Sequence, residues 1–227
     1  MEEYDISFYP ITNAQFEPFL TEGYANINLW SSLGRSWLLE QEQKAPRQPS
    51  GLPNYPCVGI TWYEAVAYSN WLTLKMHELG LLDEDKAIEL PTEPLWSKAA
   101  RGPNGFLYSW GNDWAKLGGN VDEVNINEVC AVGLFQNGKS PYGAMDMTGN
   151  IWEWCRSSWR NYPYISYDGR EDLNSPETKV VRGGSYSGGA HSCRCEYRGL
   201  GDPGYNSQNL GFRLVRVRKP LETFQSK

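Results

Sequence analysis

Gly102 divides this sequence into two different kinds of text. Before it lie helix signatures with start and stop signals. After it those signals largely vanish, and the rest of the chain is rich in Gly, Asn, Trp and Tyr, with short apolar runs such as YGAMDM, NIWEW and GFRLVRV set between turn formers. A chain with helices at the front and short strands joined by long loops behind them reads as α+β. Ten Trp among 14% aromatic residues supply a core that so much loop could not otherwise support.

The front half is specific enough to read in detail. Ile6 to Ile11 reads as a strand, followed by a helix in TNAQFEPFL capped by Thr12 or Asn13, with Phe16, Phe19 and Leu20 facing inward. Residues 22 to 56 show no sustained period and read as irregular structure with room for one short helix. TWYE at Thr61 is a capping box. It opens a helix whose Ala65, Tyr68, Leu72, Met76 and Leu79 share a face and which stops at Gly80. His77, in its last turn, reads as a surface or capping residue. A shorter helix follows in LPTEPLWSKAARG, with Thr92 as cap. No linker or internal repeat divides the chain, which predicts one domain over residues 1–218 and a frayed tail over 219–227.

Several function classes are disfavoured. A formal charge of -6 argues against a broad nucleic-acid or anionic-membrane surface. No 18-residue apolar run is present and the start is acidic, so the expected location is the cytoplasm. Five scattered cysteines (Cys57, Cys130, Cys155, Cys193, Cys195), with no CxxC pair and only two His, read as reduced thiols rather than a zinc site or disulfide framework. Serine-nucleophile, phosphate-loop and HExxH signatures are absent.

The motifs TNAQF, VGITWYEAVAYSNWL, LPTEPLWSKAARG, YSWGN, SPYGAMDMTGNIWEW, VVRGGSY and NLGFRLVR, in this order, resemble the formylglycine-generating enzyme (sulfatase-modifying factor) family. The resemblance implies a variant of the C-type lectin fold. Such a scaffold hosts several activities, so the motifs specify fold more closely than function. The founding enzyme oxidises a substrate cysteine using copper held by a CxxxxC pair just after RGGS, where two thiolates suit the soft Cu(I) ion. Counted from RGGS, those positions fall here on Gly188 and Cys193, and no register yields the pair. Copper is therefore not expected. The iron-dependent sulfoxide synthases that share this domain need further histidines from a separate helical domain.

The resemblance also reaches variable proteins of diversity-generating retroelements, in which codons near the C-terminus are rewritten at adenines. Between RGGSY and NLGFR this chain carries that vocabulary: Tyr186, Ser187, Gly188, Gly189, Ala190, His191, Ser192, Cys195, Tyr197, Gly199, Leu200, Asp202, Gly204, Tyr205 and Ser207. Loops also need turn formers, so a fixed binding surface remains open beside a diversified one. The expected ligand face is Tyr186, Ser187, His191, Arg194, Glu196, Leu200, Asp202, Tyr205 and Ser207, a polar, Tyr-bearing patch suited to a protein surface. Two alternatives stand beside binding: an oxidoreductase using Cys193 or Cys195, and an accessory domain of a larger protein.

DMTGNIWEW offers a calcium site of the family kind, with carboxylates from Asp146 and Glu153 and carbonyls from Gly149 and Ile151. A second family site would use Asn120 and the Val121 carbonyl. Trp152, Trp154 and Trp159 are expected to place one ring inward and roof the loops with the others. Arg182 and Arg213 are expected to pin loops through hydrogen bonds.

Overall fold

The computed structural model describes residues 3–41, 51–114 and 117–219. Its elements are β1 (Asp5–Ile6), α1 (Asn13–Glu22), α2 (Ser32–Glu40), α3 (Trp62–Glu78), β2 (Lys86–Glu89), α4 (Glu93–Arg101), β3 (Trp152–Ser158), β4 (Lys179–Arg182), β5 (Gly199–Gly201), β6 (Leu210–Phe212) and β7 (Val215–Arg218). This is the expected α+β layout.

Two small sheets organise the chain. In one, β7 lies between β1 and β2 and pairs antiparallel with both, which ties the two ends of the described chain together. The other runs β5-β4-β3-β6, with β6 parallel to β3 and the remaining pairs antiparallel. The Ile6–Ile11 strand is thus shorter than its sequence suggests. Beyond Ile6 the chain makes separate bonds, Ser7 N to Leu214 O and Ile11 N to Phe212 O, instead of a ladder. YGAMDM is not a strand either, although Ala144, Met145 and Met147 are buried and Met145 N donates to Phe8 O.

Helix starts follow their local chemistry. Thr12 and Thr61 both cap through complete capping boxes. Thr92 sits at the cap position of α4, but its side chain makes no capping bond; the Glu93 amide donates instead to Ser157 Oγ on β3. The unpatterned 22–56 segment holds a 3-10 turn at Ile27–Leu29 and the short helix α2. In α3 the simple one-face expectation fails. Trp62 and Glu64 through Ser69 are all buried because helices, loops and the sheet surround that half, whereas Leu79 is exposed past the helix end.

Phe16, Phe19, Tyr68 and Phe212 meet edge-on or stacked within about 6 Å and join Trp62 and Trp154 in the main core. A second cluster packs Trp96 and Ala99 of α4 on Cys155, Val180 and Cys195. Lys219 is not frayed: its amide donates to Asp85 O and its ammonium to Glu84 O. The rest of the expected tail, 220–227, lies outside the described residues.

Candidate functional site

The RGGSY stretch leaves β4 through two glycines in the left-handed region, Gly183 at φ 97 and Gly184 at φ 72. A Cβ at Gly184 would stand 2.4 Å from Cys193 Sγ, so the glycine is where this thiol is seated. Cys193 is sealed there, with its S–H directed at Ser185 O and Gly188 O. Cys195 is equally buried and lies 3.7 Å from Thr148 Oγ1. Burial pushes the Cys193 thiol up to about 12 and the Cys195 thiol up to about 11, so both are protonated near neutral pH. All five cysteines are free and buried.

Separately from these thiols the chain builds a surface groove of about 380 Å³, lined by Trp152, Tyr197, Leu200, Tyr205, Ser207 and Asn209 among others. Trp152 comes from the start of β3 and Leu200 from β5, an edge strand of the same sheet, so strands fix much of its floor. The Trp152 and Tyr197 rings lie 6.0 Å apart, and Tyr197 meets His191 edge-on at 5.7 Å. Asn209 knits the polar rim: it donates to Ser185 Oγ and Ser187 Oγ and accepts from Ser207 Oγ.

The expected ligand face is therefore only partly assembled in one place. Leu200, Tyr205 and Ser207 line the groove, while Ser187 and His191 reach it through Asn209 and Tyr197. Asp202 is exposed at the turn whose carbonyl accepts from Tyr205 N, and Tyr186 is half-buried with its amide on Asn150 O. Arg194 and Glu196 turn elsewhere. Arg194 bonds His191 and pairs with Glu196 at 3.6 Å, and Glu196 faces Arg101 of α4. Sequence reasoning missed Trp152, Tyr197 and Asn209 as site residues. Tyr197 stood in the same adenine-type vocabulary, which was the available signal. That vocabulary also includes two positions that packing holds fixed. Cys195 is core, and a Cβ at Gly199 would meet Val181 Cγ2 at 2.7 Å.

Of the four groups expected to hold calcium, three already accept hydrogen bonds within the chain. Glu153 is fully buried, and both its oxygens are already taken: Oε2 by Arg213 Nε at 2.6 Å and Trp96 Nε1 at 2.7 Å, Oε1 by Arg213 Nη2 at 2.7 Å. Asp146 accepts the Gly133 amide, and burial raises its carboxyl to about 6. The Gly149 carbonyl accepts the Ile151 amide. At the second family site, Asn120 donates to Glu128 O and Asn150 Oδ1, while its own Oδ1 is buried with no hydrogen-bond partner among the described residues. Arg213 does the loop-pinning expected of it, donating also to Ser7 O and Met145 O.

A loop-rimmed groove floored by a small mixed sheet, with Trp rings buried behind it, is the C-type lectin arrangement. A model of the sulfatase-modifying factor enzyme 1-like domain matches residues 1–218, and the chain belongs to that family. Formylglycine-generating enzyme of Streptomyces coelicolor is 30% identical over 212 residues, covering 82% of this chain and 63% of the relative. Serine/threonine-protein kinase pkn1 of Chlamydia pneumoniae is 27% identical over 227 residues, covering 95% of this chain but 33% of the kinase. The chain thus spans a third of that relative's length. Among solved structures, Treponema denticola variable protein 1 superposes with a TM-score of 0.69 at 22% identity, covering 96% of this chain and 84% of that one. PvdO from Pseudomonas aeruginosa gives 0.65 at 19%, covering 94% and 80%.

Proposed function

We propose that this chain is a ligand-binding member of the family, without copper–thiolate chemistry, and that its ligand meets the groove floored by Trp152 and Tyr197 and edged by Leu200, Tyr205 and Ser207. The observation that carries this reading is a contrast: aromatic and hydroxyl groups line an open groove, while Cys193 and Cys195 are sealed and protonated in the interior and take no part in its lining. A soft metal needs two accessible thiolates, and neither spacing nor burial offers them. Amphipathic Tyr rings with small polar neighbours suit a protein surface as ligand.

The test has two arms. Supplied with Cu(I), oxygen and a cysteine-containing peptide, the protein leaves the peptide unoxidised; turnover that disappears in Cys193→Ala would overturn the reading. Simultaneous replacement of Ser187, Leu200, Asp202, Tyr205 and Ser207 keeps the melting temperature within a few degrees, because four of these side chains are exposed and the half-buried Ser207 hydroxyl bonds only within the rim. Replacement of Cys195 or Gly199 does not. Retroelement diversification of the same loop requires a near-copy of its coding segment, differing at adenines, beside a reverse transcriptase gene. The accessory-domain reading is favoured by one observation, the match to a third of a kinase relative's length.

A further inference from the structure

On the far side of the molecule's second core cluster is an open cavity of about 530 Å³, distinct from the groove, lined among others by Lys98, Arg101, Tyr162, Tyr164, Arg182 and Glu196. Its charges do not balance. Lys98 and Arg101 are three residues apart and present one side of α4. Lys98 is exposed and has no ion pair among the described residues; its ammonium lies 5.5 Å from the Tyr4 ring, and the residue also borders a second cavity lined by Glu3 and Asp5. Arg101 spends its donors on the carbonyls of Phe106 and Gly105 and reaches Glu196 only at 3.9 Å.

Arg182 is the sharper case. It is almost completely buried, and so is Glu93, its nearest carboxylate. Arg198 takes both oxygens of Glu93 in a two-pronged pair at 2.6 and 2.8 Å. Arg182 is left 3.6 Å from Oε1, with one donor on Tyr197 O and its Nε without any hydrogen-bond partner among the described residues. Two guanidinium groups therefore share one carboxylate in the interior. Buried cations are normally paired and their donors satisfied, because an unmatched one costs several kcal/mol of desolvation. Arg182 contributes to the wall of the cavity, so this shortage of negative charge borders it even though the guanidinium itself is buried.

We propose that this cavity binds the oxyanion of a small molecule, a phosphate monoester or a carboxylate, held by Lys98, Arg101 and Arg182, with the Tyr162 and Tyr164 rings as walls. Guanidinium forks match oxyanions in plane and charge, and a volume of this size takes a ligand of a few tens of atoms at most. Glu196, the one carboxylate in the lining, opposes an entering anion, but its charge is offset by Arg101 at 3.9 Å and Arg194 at 3.6 Å.

The experiment is a calorimetric and amide-NMR titration of the intact chain at low salt with phenyl phosphate, benzoate and inorganic phosphate, against potassium chloride at matched ionic strength. Saturable binding of phenyl phosphate or benzoate is expected, with shifts centred on α4 and Arg182, and the tighter of the two identifies the source chemistry. Lys98→Glu changes an exposed side chain that carries no bond of the fold; it weakens binding at least tenfold at unchanged melting temperature. Tyr205→Ala, in the groove, leaves this binding intact, so the two sites stand or fall separately. No saturable binding of any of the three anions, shifts reproduced by chloride, or equal affinity in Lys98→Glu would overturn the proposal.

Discussion

Lys179 shows how a single side chain can be placed against its own chemistry. It lies in β4 with no solvent exposure, its ammonium 4.3 Å from the centre of the Trp62 ring and donating to Ser158 Oγ at 3.0 Å. Burial lowers it to about 8 from the ordinary lysine value. A lysine that loses its proton earlier in the folded chain penalises folding below the folded value, and the penalty fades as pH rises from 8 towards the unfolded value. Fully expressed, two and a half pH units amount to roughly 3 kcal/mol, an upper bound given the ring and hydroxyl partners. Lys179→Met is thus expected to gain on the parent at pH 7, by a margin that narrows towards pH 10 in urea titrations. The five buried thiols act the other way in the parent and the variant alike, so the difference between the two chains is the quantity to follow. Nothing in the sequence marked Lys179, and only the tertiary packing of Trp62 shows where its ammonium lies. Cys195 and Gly199 carry the same lesson within the ligand stretch, where small residues serve turns and close packing as well as exposed variation.

At the level of elements, what was legible is what local chemistry decides. The α3 start is written into Thr61 and Glu64, and the structure closes the box as spelled: Glu64 accepts from the Thr61 amide at 2.8 Å and from its hydroxyl at 2.7 Å. Tyr24 adds a third donor to the same buried carboxylate, whose pKa burial raises. Thr61→Ala removes the hydroxyl from both halves of this exchange. The expected loss is about 1 to 2 kcal/mol, read as a melting temperature roughly 2 to 8 °C lower with the far-UV spectrum unchanged. The sheets were legible only in part: NIWEW and GFRLVRV mark where β3, β6 and β7 fall, but not how they pair. Apart from the seven-residue β3, the strands run two to four residues, too short to show a period, and pairings such as Trp152 with Leu210 in parallel register are decided across the chain. Ser157 supplying the acceptor for the Glu93 amide is the same effect in miniature, since a helix start can be satisfied by a residue far along the sequence.

Across the whole molecule the interior is held by charge as much as by aromatic packing. Arg213 ties Glu153 on β3 to Ser7 beside β1 and to Met145 in the loop before β3, so one guanidinium joins the two sheets and the loop layer. Glu153 also takes the Trp96 indole proton, which adds α4 to the same junction. The sequence placed Arg213 as a loop pin but assigned Glu153 to a metal, because a ligand pattern gives residue types and not the cation that neutralises them. Removing one partner of such a pair strands the other in the interior, at a cost of about 3 to 5 kcal/mol, whereas replacing both with apolar side chains of similar volume avoids that penalty. Arg213→Met is therefore expected to be severely destabilised and Glu153→Leu with Arg213→Met to recover most of the loss, as measured by urea midpoints. If the double variant is no more stable than Arg213→Met, the bonds to Ser7 and Met145, rather than the ion pair, are what hold the two sheets and the loops that carry the groove in place.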